Sequence, residues 1–257
     1  MSGIVKSVGK AYFRALGYYP TRIHGHRFRV DPYNIGFWRA AAQGRWEPHT
    51  FRILSTFLGR ESVYCDLGAW IGPTVLYAGK IARKVVCFEP DPRAYRFLAW
   101  NLELNGLTNV TSFSIALSGQ TGLGKMSSFG GALGDSSTSL LGQSSQSETV
   151  DVLTHTWDVF APLFRSSRLD FIKIDIEGGE FSLLPSLAEY LSAEKPIVYL
   201  STHAPFLDPS VRRERMQQIG DVLGVYGKCL DQDLESADRR TWAEDSTGEF
   251  RSFVFLD

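Results

Sequence analysis

From about residue 62 onward, short runs of β-branched and aromatic residues alternate with longer segments whose apolar residues recur at helical spacing. This alternation constrains the fold most, because strands separated by helices pair in parallel and need cover on both faces of their sheet. The sequence therefore predicts an α/β, doubly wound, mostly parallel sheet over residues 61–257. Strands are predicted at 63–66, 84–88, 110–115, 170–175, 196–200 and 251–256, with 226–230 as a candidate hairpin partner of the last. Helices are predicted over 73–82, 92–105 and 209–223, with another after 175.

Two parts of the chain depart from this alternation. Residues 1–60 show a strand-like pattern over 22–30 and a helical one over 48–58, and we interpret them as an N-terminal cap on the substrate side. Residues 118–147 are rich in Gly and Ser, which indicates a flexible loop or a pair of weak strands. Long connections of this kind are usually lids or disordered. We favour a lid over the substrate site, with Ser136–Ser139 lining it.

Composition excludes several classes of protein. The 27 basic and 28 acidic residues balance, so the total charge predicts no general affinity for nucleic acid or anionic membranes. Two of the three cysteines lie in apolar strand-like runs, which favours buried thiols over a disulfide or a metal site. No apolar run is long enough to span a bilayer and the first residues lack the core of a signal peptide, so we expect a cytoplasmic location. No pattern indicates the oligomeric state.

The loop Asp66-Leu67-Gly68-Ala69-Trp70-Ile71-Gly72 stands between a predicted strand and a predicted helix. Glycine allows a sharp turn and close backbone approach to a ligand, and the helix that follows offers free N–H groups. Dinucleotide sites prefer Gly-x-Gly-x-x-Gly, which this loop lacks. Its initial carboxylate would repel phosphate but would suit the ammonium group of a methionine tail. A tight structural turn is the alternative.

Glu89 ends the second strand, 23 residues after Asp66. A carboxylate at about this offset can accept both ribose hydroxyls of an adenosine ligand. Pro90 and Pro92 stiffen the loop beside it. Because NAD carries the same ribose, Glu89 indicates adenosine without specifying a methyl donor, and an exposed loop acid is the alternative.

The run Asp170-Phe171-Ile172-Lys173-Ile174-Asp175-Ile176-Glu177-Gly178-Gly179-Glu180 places four ionisable residues at the carboxyl end of a buried strand. Ligands bind at this edge of open α/β sheets, and unpaired burial of so many charges would be costly. The run from Phe171 to Glu180 resembles the signature of the FkbM family of methyltransferases. Weaker resemblance extends over roughly residues 40–205, including Asp66–Gly72, Glu89-Pro90-Asp91 and Ala116-Leu117-Ser118.

The resemblance implies S-adenosylmethionine as cofactor, O-methylation of a hydroxyl on a sugar or polyketide-type molecule, and a Rossmann-like sheet of seven strands with the last antiparallel. It also implies roles for particular residues. Asp66, Gly68, Ala69 and Gly72 would hold the methionine portion, and Glu89, with Pro90 beside it, the ribose. Asp91, Ser114 and Ala116 would flank the adenine, and Asp175 and Glu177 would lie near the methyl group and the acceptor. The family often has Glu at the position of Glu47, near the amino-acid end of the cofactor, but a Glu that opens a helix and is favoured by the helix dipole is an equal alternative.

His203 follows the fifth strand and is a candidate general base, because histidine titrates near neutral pH. A hydrogen bond that caps the strand end is an equal alternative. Many family members carry Glu two residues earlier, where this chain has Ser201, so we predict no metal site. The surface hairpin with His24 and His26 is expected to have no role. A nicotinamide-dependent oxidoreductase and a non-catalytic cofactor-binding module of the same fold remain the alternative functions.

Overall fold

The computed structural model describes residues 2–141 and 148–257, with side chains from residue 9 onward. The cap contains three helices and a hairpin: α1 (Ser2–Leu16), β1 (Tyr19–Ile23), β2 (His26–Val30), α2 (Ile35–Ala42) and α3 (Pro48–Phe57). The strand-like pattern over 22–30 belongs to the hairpin expected at His24 and His26, where His24 and Gly25 both adopt positive φ and reverse the chain. The helices α1 and α2 were not predicted.

The predicted alternation begins with three strands and two helices: β3 (Val63–Leu67), α4 (Pro73–Ile81), β4 (Lys84–Phe88), α5 (Pro92–Asn105) and β5 (Val110–Phe113). Pro73 and Pro92 each occupy the first helical turn, where a missing N–H is tolerated. Gly106 ends α5 in the left-handed conformation. The bounds match the sequence prediction closely, except that β5 stops two residues earlier.

The Gly/Ser-rich region contributes to a second, four-stranded sheet in the order β6-β9-β7-β8. Its strands are β6 (Ala116–Leu117), β7 (Gly122–Ser128), β8 (Thr138–Ser139) and β9 (Thr149–His155). The pair of weak strands is therefore the correct alternative for the described part of 118–147; residues 142–147 lie outside the described residues. Two 3₁₀ turns, Trp157–Val159 and Ala161–Phe164, follow β9.

The last part of the chain completes the main sheet. It comprises β10 (Phe171–Ile174), α6 (Glu180–Glu194), β11 (Ile197–Thr202), a 3₁₀ turn (Ala204–Phe206), α7 (Pro209–Leu223), β12 (Lys228–Asp231), α8 (Trp242–Asp245) and β13 (Arg251–Leu256). The main sheet has seven strands in the order β12-β13-β11-β10-β3-β4-β5. The strands from β11 to β5 pair in parallel, while β13 is antiparallel to both of its neighbours.

Successive residues of the central strands point into two different cores. Cys65 and Ile172 pack on the face covered by α6 and α7. Tyr64 and Phe171 pack on the other face, against α3, α4 and the cap hairpin. This alternation is expected of strands covered on both sides. No helix among the described residues is long and apolar enough to cross a membrane.

Candidate functional site

The carboxyl ends of β3, β4, β10 and β11 meet at one edge of the main sheet. The polar residues identified from the sequence lie at or just after these strand ends. Asp66 lies near the end of β3, Glu89 follows β4, Asp175 and Glu177 follow β10, and His203 follows β11. Parallel pairing of β3 with β4 and β10, and of β10 with β11, brings these segments side by side. The topology therefore assembles one site from four separate parts of the chain.

The two glycines of the first loop serve different purposes. Gly68 has φ +87°, and a Cβ there would lie 1.8 Å from the backbone oxygen of Asp175. Any side chain at this position would thus push the loops after β3 and β10 apart. Gly72, at φ +93°, would place its Cβ 2.7 Å from the side chain of Leu98 on α5. Gly68 permits the close approach of two loops at the site, whereas Gly72 permits packing of helices.

A first cavity opens beside Glu89. Its walls are mainly apolar and include Leu67, Phe88, Pro90, Ile115, Ala116, Leu117, Met126 and Leu140. Glu89 is 6% exposed, and its two carboxylate oxygens accept hydrogen bonds from the backbone N–H groups of Trp70 (2.7 Å) and Asp91 (2.8 Å). Burial raises the pKa of Glu89 to about 7, against the lowering effect of these two donors. The cavity is an apolar slot with one fixed carboxylate at its edge.

The Gly/Ser-rich segment closes over this slot through specific hydrogen bonds. Asp91 accepts from the backbone N–H of Gly134 (2.5 Å) and from the Thr138 hydroxyl (3.1 Å), in addition to capping α5. The indole N–H of Trp70 donates to the Gly134 carbonyl (2.9 Å). Ser139 Oγ donates to the backbone oxygen of Glu177 (2.5 Å). These bonds fix the segment from 134 to 139 between the loops after β3, β4 and β10.

A buried ion cluster lies below the loops. Lys173 is 3% exposed, and its Nζ lies 2.9 Å from Asp175 Oδ2 and 3.6 Å from Asp66 Oδ1. Burial would raise the pKa of Asp175, but Lys173 and His203 hold it below its usual value. Burial dominates at Asp66 and raises its pKa, although Lys173 opposes this. The hydroxyl of Thr74 donates to Asp66 Oδ2 at 2.6 Å, while Oδ1 has no hydrogen-bond partner among the described residues.

His203 lies among three carboxylates. Its Nδ1 is 3.2 Å from Glu180 Oε1, and its Nε2 is 3.5 Å from Asp175 and 3.4 Å from Glu177. Fully buried Glu180 also accepts from the backbone N–H groups of His203 (2.7 Å) and Gly178 (2.8 Å). Burial would lower the pKa of His203, but the carboxylates, Glu180 foremost, raise it to about 9. The imidazole is therefore protonated at neutral pH, and Glu180 fixes its orientation.

Asp175, Glu177 and His203 each offer one donor atom, and the three atoms lie within 4.8 Å of one another. Such a set of two carboxylates and one imidazole could hold a divalent cation. In the structure, however, the protonated imidazole already supplies a positive charge between the two carboxylates.

A second cavity lies on the cap side of the same loops. The cap lines it with Trp46, Glu47, His49 and Thr50, and the other end of the chain with Gln232, Phe250, Arg251 and Ser252. Glu47 accepts a hydrogen bond from the Thr50 hydroxyl (3.0 Å), and burial, with Asp175 nearby, raises its pKa to about 7. Five residues line both cavities: Gly68, Trp70, Ser136, Asp175 and Glu177. The two cavities therefore meet at these residues.

Most of the predicted site residues line one or both cavities. They are Glu47, Gly68, Ala69, Glu89, Pro90, Ala116, Asp175, Glu177 and His203. Four others do not: Asp66 is buried in the ion cluster, Gly72 packs on α5, Asp91 binds the Gly/Ser-rich segment, and Ser114 is exposed. The sequence did not identify three residues of the cavity walls, Met126, Leu140 and Phe250. They are single apolar residues in loops and weak strands, and no sequence pattern distinguishes them from other apolar residues. The orienting role of Glu180 was also missed, although the charge-rich run pointed to that residue.

The model of the methyltransferase FkbM domain matches residues 66–222, more than half of the chain. The chain belongs to the FkbM methyltransferase family. This confirms the resemblance seen in the run from Phe171 to Glu180. Membership of this family also supports S-adenosylmethionine as the cofactor.

The similarity of this chain to solved structures is low. An FkbM methyltransferase from Methylobacillus flagellatus is 18% identical with a TM-score of 0.44, over 76% of this chain and 44% of that one. This chain thus spans less than half the length of that protein. A 16S rRNA methyltransferase from T. thermophilus, bound to AdoMet and guanosine, is 15% identical with a TM-score of 0.46, over 93% of this chain and 50% of that one. A tRNA methyltransferase from Pyrococcus abyssi, bound to S-adenosyl-L-homocysteine, is 14% identical with a TM-score of 0.43, over 93% of this chain and 44% of that one. No curated protein matches the sequence.

Proposed function

We propose that this FkbM-family methyltransferase transfers the methyl group of S-adenosylmethionine to a hydroxyl group of a sugar, glycan or polyketide-type molecule. The observation that carries the proposal is the junction of the two cavities at Gly68, Trp70, Ser136, Asp175 and Glu177. A methyl transfer needs donor and acceptor to meet in line at one point. The junction offers that point, with separate cavities leading to it from two sides.

The residues of the first cavity fit the adenosine part of the cofactor. Its apolar walls suit a flat purine, and Glu89 offers a fixed carboxylate for the two ribose hydroxyls. Glu47 and Asp175, in the second cavity, suit the positive charges of the amino-acid tail and the sulfonium. We propose that Asp66 acts indirectly, by fixing Lys173 and through it Asp175. The strand order, with β13 antiparallel, supports a Rossmann-like class I methyltransferase fold.

S-adenosylmethionine supplies an electrophilic methyl group, so the protein needs to orient the acceptor oxygen and accept its proton. We assign the base to Glu177. Burial raises its pKa to about 7, near the value at which a general base works best at neutral pH, while neighbouring His203 opposes that rise. His203, the base expected from the sequence, is already protonated and would instead hold Glu177 in position through its Nε2 contact.

The acceptor class rests on the lining of the second cavity. Trp46, Trp70 and Phe250 offer ring faces, and His49, Gln232 and Arg251 offer hydrogen-bonding groups. Such a mixture suits a molecule with apolar faces and several hydroxyls. We propose that residues 1–60 form a cap on the domain spanning 61–257, and that the Gly/Ser-rich segment is a lid over the first cavity. All three cysteines are free thiols, which supports a reducing compartment such as the cytoplasm.

Calorimetric titration with S-adenosylhomocysteine and with NADH tests the donor assignment. We expect S-adenosylhomocysteine to bind and NADH not to bind at near-millimolar concentration; the reverse would favour the oxidoreductase. A panel of hydroxylated sugars and macrolides is then incubated with S-adenosylmethionine, and product S-adenosylhomocysteine is measured for the wild type and Glu177→Gln. The matched control is Glu189→Gln, on the outer part of α6. Cofactor binding without turnover on any hydroxylated compound would favour the non-catalytic module.

A further inference from the structure

The nearly neutral total charge conceals a strong asymmetry along the chain. Residues 1–60 contain 10 of the 27 basic residues but only 2 of the 28 acidic ones, a formal charge of +8, and the remainder carries −9. Neither acid of the cap is on its surface. Asp31 is fully buried, where it accepts from the indole N–H of Trp38, and Glu47 lies in the second cavity. The outer surface of the described cap is therefore cationic.

The β1–β2 hairpin concentrates this charge. Its inner face packs Ile23 and Phe28 into the core, and its outer face presents Arg22, Arg27 and Arg29. Arg22 and Arg27 stand directly opposite each other in the antiparallel pair. Like charges opposite one another destabilise a hairpin unless something neutralises them.

Nothing in the described part of the chain neutralises these arginines. No carboxylate there lies within 4.0 Å of the guanidinium groups of Arg22, Arg27 or Arg29. Arg29 instead stacks on the ring of Tyr18, 4.8 Å from its centroid. All three arginines line an open groove with Tyr18 and Asn105. Guanidinium groups in such a groove match the bidentate geometry of phosphate.

The helix α1 adds exposed apolar surface beside the groove. From residue 10 to residue 16, only Phe13 is partly buried, and it packs edge-on against Tyr19 of β1. Tyr12 is 61% exposed and Leu16 42%, one helical turn apart on the same side. Lys10 and Arg14 form an exposed basic pair with the same spacing. An amphipathic helix of this kind, basic beside apolar, is suited to the headgroup region of a membrane.

We propose that the cap, through the outer face of the β1–β2 hairpin and the exposed side of α1, docks on the surface of an anionic phospholipid bilayer. Lipid phosphates would neutralise Arg22, Arg27 and Arg29, while Tyr12 and Leu16 enter the interface. A nucleic acid would also neutralise the arginines, but it offers no partner for the aliphatic side chain of Leu16. The inference depends on surface charge and exposure alone, so it stands independently of the acceptor.

Flotation with vesicles tests the proposal on the full chain. Vesicles of phosphatidylcholine alone are compared with an equimolar mixture of phosphatidylcholine and phosphatidylglycerol. We expect binding to the anionic vesicles only, weakening as salt screens the charges. The triple variant Arg22→Ala, Arg27→Ala, Arg29→Ala should lose about a hundredfold in apparent affinity, because each basic residue near an anionic surface contributes about fivefold. Leu16→Ser should weaken binding while leaving its salt dependence unchanged.

The matched control replaces Arg83, Arg165 and Arg215 by Ala, which removes the same charge from exposed positions outside the cap. This control should bind anionic vesicles nearly as the wild type does. Circular dichroism and S-adenosylhomocysteine affinity verify that both triple variants are folded. Equal losses of vesicle affinity in the two triple variants, or no binding of the wild type to anionic vesicles, would overturn the proposal. Tight binding of a single-stranded RNA oligomer, lost in the cap variant alone, would replace the bilayer with nucleic acid as the partner.

Discussion

The position of His203 among three carboxylates makes a quantitative prediction about stability. Its pKa is about 9 in the folded protein, against about 6.5 for an unfolded histidine. A raised pKa means that the folded state binds the proton more tightly, so the resulting stability is complete below pH 6.5 and is lost as the pH rises through 9. The 2.5-unit difference corresponds to about 3 kcal/mol of unfolding free energy.

The assay is urea unfolding at intervals from pH 7 to pH 9. The raised pKa values of Glu47, Glu89 and Glu177, about 7 each, affect stability mainly below this window. We expect the wild-type free energy of unfolding to fall by about 2 kcal/mol across the window from the loss of the His203 proton, because part of the total effect lies below pH 7 and above pH 9. Glu180→Gln keeps the shape of the side chain but removes the charge nearest to His203. The fall in unfolding free energy between pH 7 and pH 9 should therefore shrink, and the urea concentration at the unfolding midpoint at pH 7 should decrease.

A matched control is His49→Gln, which removes a half-exposed histidine paired with Asp233 and should leave the pH dependence unchanged. An NMR titration of the imidazole resonances, assigned with His203→Gln, reports the same pKa directly. A flat wild-type curve between pH 7 and 9, or an equal slope in His203→Gln, would refute the reasoning that His203 is held protonated by its neighbours.

Four further outcomes follow from the site. Glu89→Ala should weaken S-adenosylhomocysteine affinity about a hundredfold in calorimetry, since hydrogen bonds to a charged group contribute about 1.5–3 kcal/mol each; unchanged affinity would remove Glu89 from the ribose site. Glu177→Gln should lower kcat by about 10²–10⁴ with little change in KM, as expected for loss of a general base, and steady-state formation of S-adenosylhomocysteine measures it. Lys173→Met should lower the free energy of unfolding by about 3–5 kcal/mol in urea, because Asp66 and Asp175 lose their buried cation; an unchanged midpoint would contradict a buried ion cluster. EDTA should leave S-adenosylhomocysteine affinity unchanged, because the imidazolium already balances the acids.

The main sheet could be predicted from the sequence because its signals are local. A buried parallel strand is a short apolar run, and a helix start carries its own proline, as at Pro73 and Pro92. The polar residues after β3, β4 and β10 could be grouped because parallel strands bring their carboxyl ends together. The match to the FkbM domain then confirmed the resemblance seen in the run from Phe171 to Glu180.

The parts that escaped prediction depend on contacts between distant segments. The resemblance implies that Asp91 flanks the adenine, whereas in the structure its carboxylate accepts hydrogen bonds from Gly134 and Thr138, which no local sequence pattern indicates. The spacing of the first loop does not reveal that Gly72 packs on Leu98. The cationic hairpin escaped notice because the total charge was balanced by acids elsewhere in the chain.

The central claim is that the adenosine part of the donor lies in the first cavity, with the sulfonium at the junction and the amino-acid tail near Glu47 in the second cavity. The most direct test is a crystal structure with S-adenosylhomocysteine. We predict the adenine between Pro90 and Leu117, the ribose hydroxyls on Glu89, and the sulfur beside Asp175 and Glu177. Density for the nucleoside in the second cavity, or a sulfur atom remote from Asp175 and Glu177, would contradict the account.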